Sequence, residues 1–206
     1  MSVSTRLSIR WLPEPASEPT STIVLTLPKT KLYIDIRLSV SEPSLYWGFA
    51  GYSTHVGNKC TFSHFMDSRG LIDAIDSGIF TTQPDGTTLE TGSMMNFDTG
   101  KVEDYEEIWF DETREEYIGL VSAEGEAKGA LVRVGEWWQG MVYENNEFRS
   151  ARWRKDGDNW EMIWGVEEDW DHGKPPGNSM LEGLAVGQEV QYAGKRWRTV
   201  ESSSGQ

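Results

Sequence analysis

Apolar and polar residues alternate over short stretches along the whole chain. "KLYIDIRLSV" (31–40) sets Leu32, Ile34, Ile36 and Leu38 against Tyr33, Asp35 and Arg37, the period of two that predicts a half-buried strand. "RLSIRWL" (6–12), "TIVLTL" (22–27), "LYWGFAGYSTHV" (45–56), "KCTFSHFM" (59–66), "KVEDYEEIWF" (101–110), "EYIGLVSA" (116–123), "EFRSARWRK" (147–155) and "NWEMIWGVEE" (159–168) read the same way. Turn residues separate them: Gly57-Asn58, "PDG" at 84–86, "EGEAKG" at 124–129, Asn145-Asn146 and Asp156-Gly157. These residue types reach the tight or left-handed conformations that hairpins require. "ALVRVGEWWQGMVYE" (130–144) reads as one long strand with a bulge or bend at Gly135. "MLEGLAVGQEV" predicts a short helix or turn, and "QYAGKRWRTVE" (191–201) a final hairpin.

No long amphipathic helix is evident. Roughly a dozen short strands, turned about every ten residues, predict an all-β sandwich or barrel. The 21 glycines fit the corners of a sheet that must bend. "KLYIDIRL…LYWGFAGY…KCTFSHFM" and "ALVRVGEWWQGMVYE…EFRSARWRK" echo one another, so two similar β units are expected, residues 1–112 and 113–206.

Several phrases together resemble a family of small fungal proteins whose yeast member is a cytosolic protein named for interacting with a casein-kinase-1 homologue. They are "YWGFAGY" (46–52), "DSG" (76–78), "YEEIWF" (105–110), "VGEWWQG" (134–140) and "GKRWRTVE" (194–201). They run through nearly the whole chain in order. The resemblance implies two calycin-like, or lipocalin-like, antiparallel β-barrel halves packed together. It carries no catalytic motif over to this chain, and it implies a noncatalytic protein-interaction role as the alternative to ligand binding.

Composition narrows the function. A net charge of −14 argues against nucleic acid and anionic membrane surfaces, both of which select basic patches. One cysteine, Cys60, allows no intrachain disulfide. Three scattered histidines without HExxH or CxxC spacing make a zinc site improbable. "GVEEDWD" (165–171) lacks EF-hand spacing and reads as a solvated edge. No apolar run is long enough for a membrane helix, and the acidic, proline-containing N-terminal stretch does not read as a signal peptide. A reducing cytoplasm is the expected compartment. No cofactor is expected, and the expected partners are an apolar small molecule, a protein partner or a second copy.

Ten tryptophans remain to be explained, five of them within residues 134–165. They either pack as core or wall a cavity too wide for side chains to fill; a surface for stacking sugars is a third reading. Trp47, Trp138, Trp164 and Met141 are the candidate walls. Polar residues on apolar faces are the candidate chemistry: His64 beside Cys60, Phe62 and Met66; Glu107 between Tyr105 and Trp109; and Gln139 beside Trp137 and Met141. His64 is either a satisfied core histidine or a proton carrier. Glu107 is either a paired carboxylate or an acid with a raised pKa. Tyr105 and Gln139 would orient a ligand. The expected activity is binding of an apolar or aromatic molecule. If the protein is an enzyme, it is a cofactor-free isomerase or cyclase of the kind used in fungal secondary metabolism.

Overall fold

The computed structural model describes residues 1–72, 75–123, 128–181 and 183–204. It is almost entirely antiparallel sheet. β1 (Ser2–Trp11), β2 (Thr20–Thr26), β3 (Leu32–Ser39), β4 (Leu45–Val56), β5 (Lys59–Asp67), β6 (Ile75–Thr82), β7 (Thr88–Asn96) and β8 (Lys101–Thr113) pair in sequence order. β8 returns to β1 along almost its whole length, so the barrel closes.

The second unit is a seven-stranded sheet in the order β13-β12-β11-β10-β9-β15-β14. Its strands are β9 (Tyr117–Ser122), β10 (Lys128–Val134), β11 (Trp137–Glu144), β12 (Glu147–Asp156), β13 (Asn159–Trp164), β14 (Glu189–Tyr192) and β15 (Lys195–Ser202). A 3-10 turn (Glu167–Asp169) and a short helix α1 (Asn178–Leu181) lie between β13 and β14. The all-β expectation holds, with one closed barrel and a second sheet. Among the described residues no helix is long and apolar enough to cross a membrane.

Local chemistry explains the turns. Asn145 and Asn146 both take positive φ, 53° and 64°, between β11 and β12, the conformation of a two-residue hairpin turn. The stretch 130–144 is a hairpin and not one strand. Gly135 takes φ 56°, Val134 pairs with Trp137, and the chain reverses at Gly135-Glu136 into β11. Most of the "EGEAKG" turn, residues 124–127, lies outside the described residues.

The units meet face to face. Ile23 and Leu25 of β2 and Ile34 and Ile36 of β3 pack with Val132, Val134 and Met141 of the second sheet. Polar clamps cross the seam. Gln139 Nε2 donates to the carbonyls of Ile23 (3.1 Å) and Ile34 (2.9 Å). Arg152, its register partner on β12, donates to Gln139 Oε1 (3.1 Å), the Ile36 carbonyl (2.6 Å), and the carbonyl and hydroxyl of Ser21. The Glu201 carboxylate accepts from the backbone of Lys29 and Thr30 and from the Thr30 hydroxyl.

The opposite face of the second sheet forms its own core. Trp138, Trp153, Trp170 and Trp197 are fully buried there with Leu120, Leu131 and Tyr192. Most of the indole-rich stretch is therefore solid packing.

β3 corrects the half-buried expectation, because every residue from Leu32 to Leu38 is buried. Leu32, Ile34, Ile36 and Leu38 face the seam. Tyr33, Asp35 and Arg37 face the barrel cavity, not solvent. A period-two pattern reports which residues share a face, not what covers it.

Candidate functional site

Inward-facing residues of all eight barrel strands enclose a cavity of about 310 Å³, within the range of small-molecule sites. Val24, Tyr33, Phe49, Phe62, Phe80, Met94 and Trp109 give it apolar and aromatic walls. Asp35, Arg37, Ser53, Asp76, Glu90 and Glu107 put polar groups among them. His55 and Asp111, both exposed lining residues, mark its open side.

Glycines create part of this space. Gly78 of β6 and Gly92 of β7 are register partners. A Cβ on Gly78 would stand 2.4 Å from Glu90 Oε1, and one on Gly92 would stand 2.8 Å from the Tyr105 hydroxyl. Both contacts are closer than packed atoms allow, so the missing side chains are what let Glu90 and Tyr105 lie across the sheet.

Deep in the barrel, charges pair. Arg6 reaches Glu107 Oε1 at 2.5 Å, holds Glu18 through Nε (2.9 Å) and Nη2 (3.0 Å), and donates to the Thr20 hydroxyl. Arg37 donates to Asp35 Oδ2 through Nε (3.1 Å) and Nη2 (2.9 Å), and its Nη1 stands 3.7 Å from Glu107 Oε1. Burial pulls the Arg37 pKa down, but Asp35 and Glu107 outweigh it and hold the guanidinium above its ordinary value. Glu107 is thus a carboxylate paired to two arginines.

The acid with unusual proton affinity is its register partner, Glu90. Tyr105 donates to Glu90 Oε1 (2.8 Å) and Trp109 Nε1 to Oε2 (2.9 Å). Burial pushes the Glu90 carboxyl up, and Glu107 and Asp76 push it further. Against the opposing effects of the Tyr105 bond and Arg37, it stands at about 8. Glu90 therefore carries its proton near neutral pH. Burial also raises the Tyr105 phenol. Cys60 faces the same space with Sγ 3.3 Å from His55 Nε2. Burial, with Glu90 and Asp76 nearby, pushes its thiol up to about 12, so no nucleophilic thiolate forms at neutral pH.

Of the eight residues singled out in the sequence, Tyr105 and Glu107 line the cavity. Trp47 and His64 sit beside it and share Asp67: Trp47 Nε1 donates to Asp67 Oδ2 at 3.1 Å, and His64 Nδ1 lies 3.1 Å from the same oxygen. The His64 ring stacks on Phe49 at 4.4 Å. Met66 leaves that face because the register slips between Ala50 and Gly51, which turns it to the seam.

The other four lie in the second unit. Gln139 and Met141 are at the seam, Trp138 is in the indole core, and Trp164 packs against the seam. Trp160 and Met162 pack on the indole core, whereas Trp164 faces the other way because the register shifts between Arg152 and Trp153. The sequence reading missed Asp35, Arg37, Ser53, Asp76 and Glu90; the alternation sets Asp35 and Arg37 on the outward face of a half-buried strand. For Glu90 alone a signal was available: Gly78 on the neighbouring strand, whose missing side chain leaves the space Glu90 fills.

A family model described as Protein HRI1 matches residues 2–201 of the chain. The chain belongs to the HRI1 family. The HRI1-family fold is also that of a crystal structure of the uncharacterized protein YLR301w from Saccharomyces cerevisiae. The two chains align over 98% of each with a TM-score of 0.78 and 20% identity, a likeness that carries fold alone. No curated protein matches the chain.

Proposed function

We propose that this HRI1-family protein binds a small molecule with an aromatic or apolar body inside the closed barrel. The observation that carries the reading is the cavity itself, about 310 Å³ of space walled by Val24, Phe49, Phe62, Phe80, Met94 and Trp109. Protein interiors normally leave few voids larger than a water molecule. The second unit supports this assignment by contrast, because its indoles fill their own core. Were binding accompanied by isomerisation or cyclisation, Glu90 is the group equipped to pass a proton, with Tyr105 hydrogen-bonded to it. The scaffold alternative rests on the family resemblance and the acidic surface and makes no use of the cavity.

The test is titration with the neutral fluorophore N-phenyl-1-naphthylamine. Binding at one molecule per chain, with a blue-shifted rise in emission, is expected for the native protein, and loss of that signal is expected in Met94→Trp, where the added ring occupies the space. An unsaturable signal, or one indifferent to Met94→Trp in a variant that still folds, would refute the cavity site.

A further inference from the structure

We propose that the occupant of the barrel is an organic cation, a protonated amine or amidine on an aromatic or apolar body, whose charged head meets the free carboxylate oxygen of Asp35. The inference rests on the cavity being a binding site and adds the charge of what it binds.

Asp35 is 3% exposed and faces the cavity. Both Arg37 hydrogen bonds fall on Oδ2. Oδ1 has no hydrogen-bond partner among the described residues. Buried polar atoms are almost always satisfied, so an oxygen left open toward a cavity asks for a donor from the ligand. Ser53, also 3% exposed and lining the cavity, has an unpartnered hydroxyl as well. Phe49 is the register partner of Asp35, and Ser53 lies four residues beyond it, about 13 Å along the strand. The two open groups therefore belong to opposite ends of one elongated ligand.

Charge selects the sign. Asp35, Asp76, Glu107 and Asp111 line the cavity against Arg37, with Arg6 behind Glu107; Glu90 beside them holds its proton until a cation enters. Three donors of Arg37 already face Asp35 and Glu107, so little is left to hold an anion. The rings of Tyr33, Phe49, Phe62 and Trp109 offer faces to a cation. Among the described residues no three His, Cys, Asp or Glu side chains converge as a metal site, so the dispersed carboxylates suit an extended organic cation better than a compact divalent ion.

Glu90 adds a signature. It is faced by Tyr105, Glu107 and Trp109 from β8, Asp76 from β6, Arg37 from β3 and Cys60 from β5. A cation entering this ring favours the ionised carboxylate, so its binding releases a proton near neutral pH.

The test is calorimetric titration of the full chain with three matched probes: phenethylammonium, 2-phenylethanol and phenylacetate. The ammonium should bind at least about tenfold more tightly than the alcohol, and phenylacetate most weakly. Asp35→Asn should bring the ammonium down to the alcohol's affinity and leave the alcohol unchanged. Should Asp35→Asn fail to fold, the native protein still decides: titration at pH 7 in buffers of different ionisation enthalpy should show proton release with the ammonium and none with the alcohol. Equal or tighter binding of the alcohol or the carboxylate, or no proton release with the ammonium, overturns the cation and leaves the cavity site standing. Binding of none of the three, with N-phenyl-1-naphthylamine also silent, overturns the cavity site with it.

Discussion

Replacing Arg152 with methionine should lower the unfolding free energy by about 2–4 kcal/mol, measured by urea denaturation at pH 7. The side chain is 1% exposed at the seam and donates to Ser21, Ile36 and Gln139. Burial pulls its pKa down to about 10, with Asp35 acting the other way, so the guanidinium stays charged at neutral pH. Two effects oppose. Removing a desolvated charge is favourable, and methionine keeps much of the volume. Against that, Gln139 Oε1 loses its donor while Gln139 Nε2 remains committed to two carbonyls of the barrel. An orphaned buried acceptor costs about 1–3 kcal/mol, and a hydrogen bond from a charged donor is worth about 1.5–3 kcal/mol. The losses outweigh the gain. Gln139→Leu combined with Arg152→Met should therefore cost less than the sum of the two single changes. Unchanged or higher stability in Arg152→Met would mean that the clamp does not hold the units together.

The second large effect is a pH dependence that Glu90→Gln removes. The folded protein binds the Glu90 proton more tightly than the unfolded chain does, because burial, Glu107 and Asp76 raise its pKa from 4.5 to about 8. An acid raised on folding costs nothing below its unfolded pKa, where both states are protonated. As pH rises the unfolded state ionises first, so stability is lost between about 4.5 and 8 and then levels off. A shift of this size corresponds to a few kcal/mol at most. Glutamine can accept from Trp109 through its amide oxygen and donate through its amide nitrogen to the Tyr105 hydroxyl oxygen, but does not ionise. The stability of Glu90→Gln relative to native should therefore rise across that interval, to a gain of about 1–3 kcal/mol at pH 8. A difference between the two proteins that stays constant with pH would show that Glu90 is not the raised acid.

Much of the fold was legible because it is written in local pattern. The alternation in 31–40, the glycine and asparagine turns and the missing helical period all survive in the structure. What escaped depended on closure. A closed barrel can carry charged residues inside, so Asp35 and Arg37 looked like the solvent-facing side of a half-buried strand although each is buried. Two register slips, at Ala50/Gly51 and at Arg152/Trp153, turned Met66 and Trp164 away from the faces their spacing assigned, and alternation cannot foresee an extra residue in one strand. Tyr105 and Glu107 were found because charge between aromatics on one face signals an unusual environment. Gln139 gave the same signal for a different reason, since it satisfies the backbone of the other unit.

The barrel interior is the proposed ligand site. Methionine-methyl NMR reads this directly, because Met94 lines the cavity while Met66 and Met141 are buried at the seam. On titration with N-phenyl-1-naphthylamine the Met94 resonance should shift and saturate while those of Met66 and Met141 stay in place. A Met94 resonance that holds still while exposed Met95 moves would place the probe on the outer surface and contradict the account.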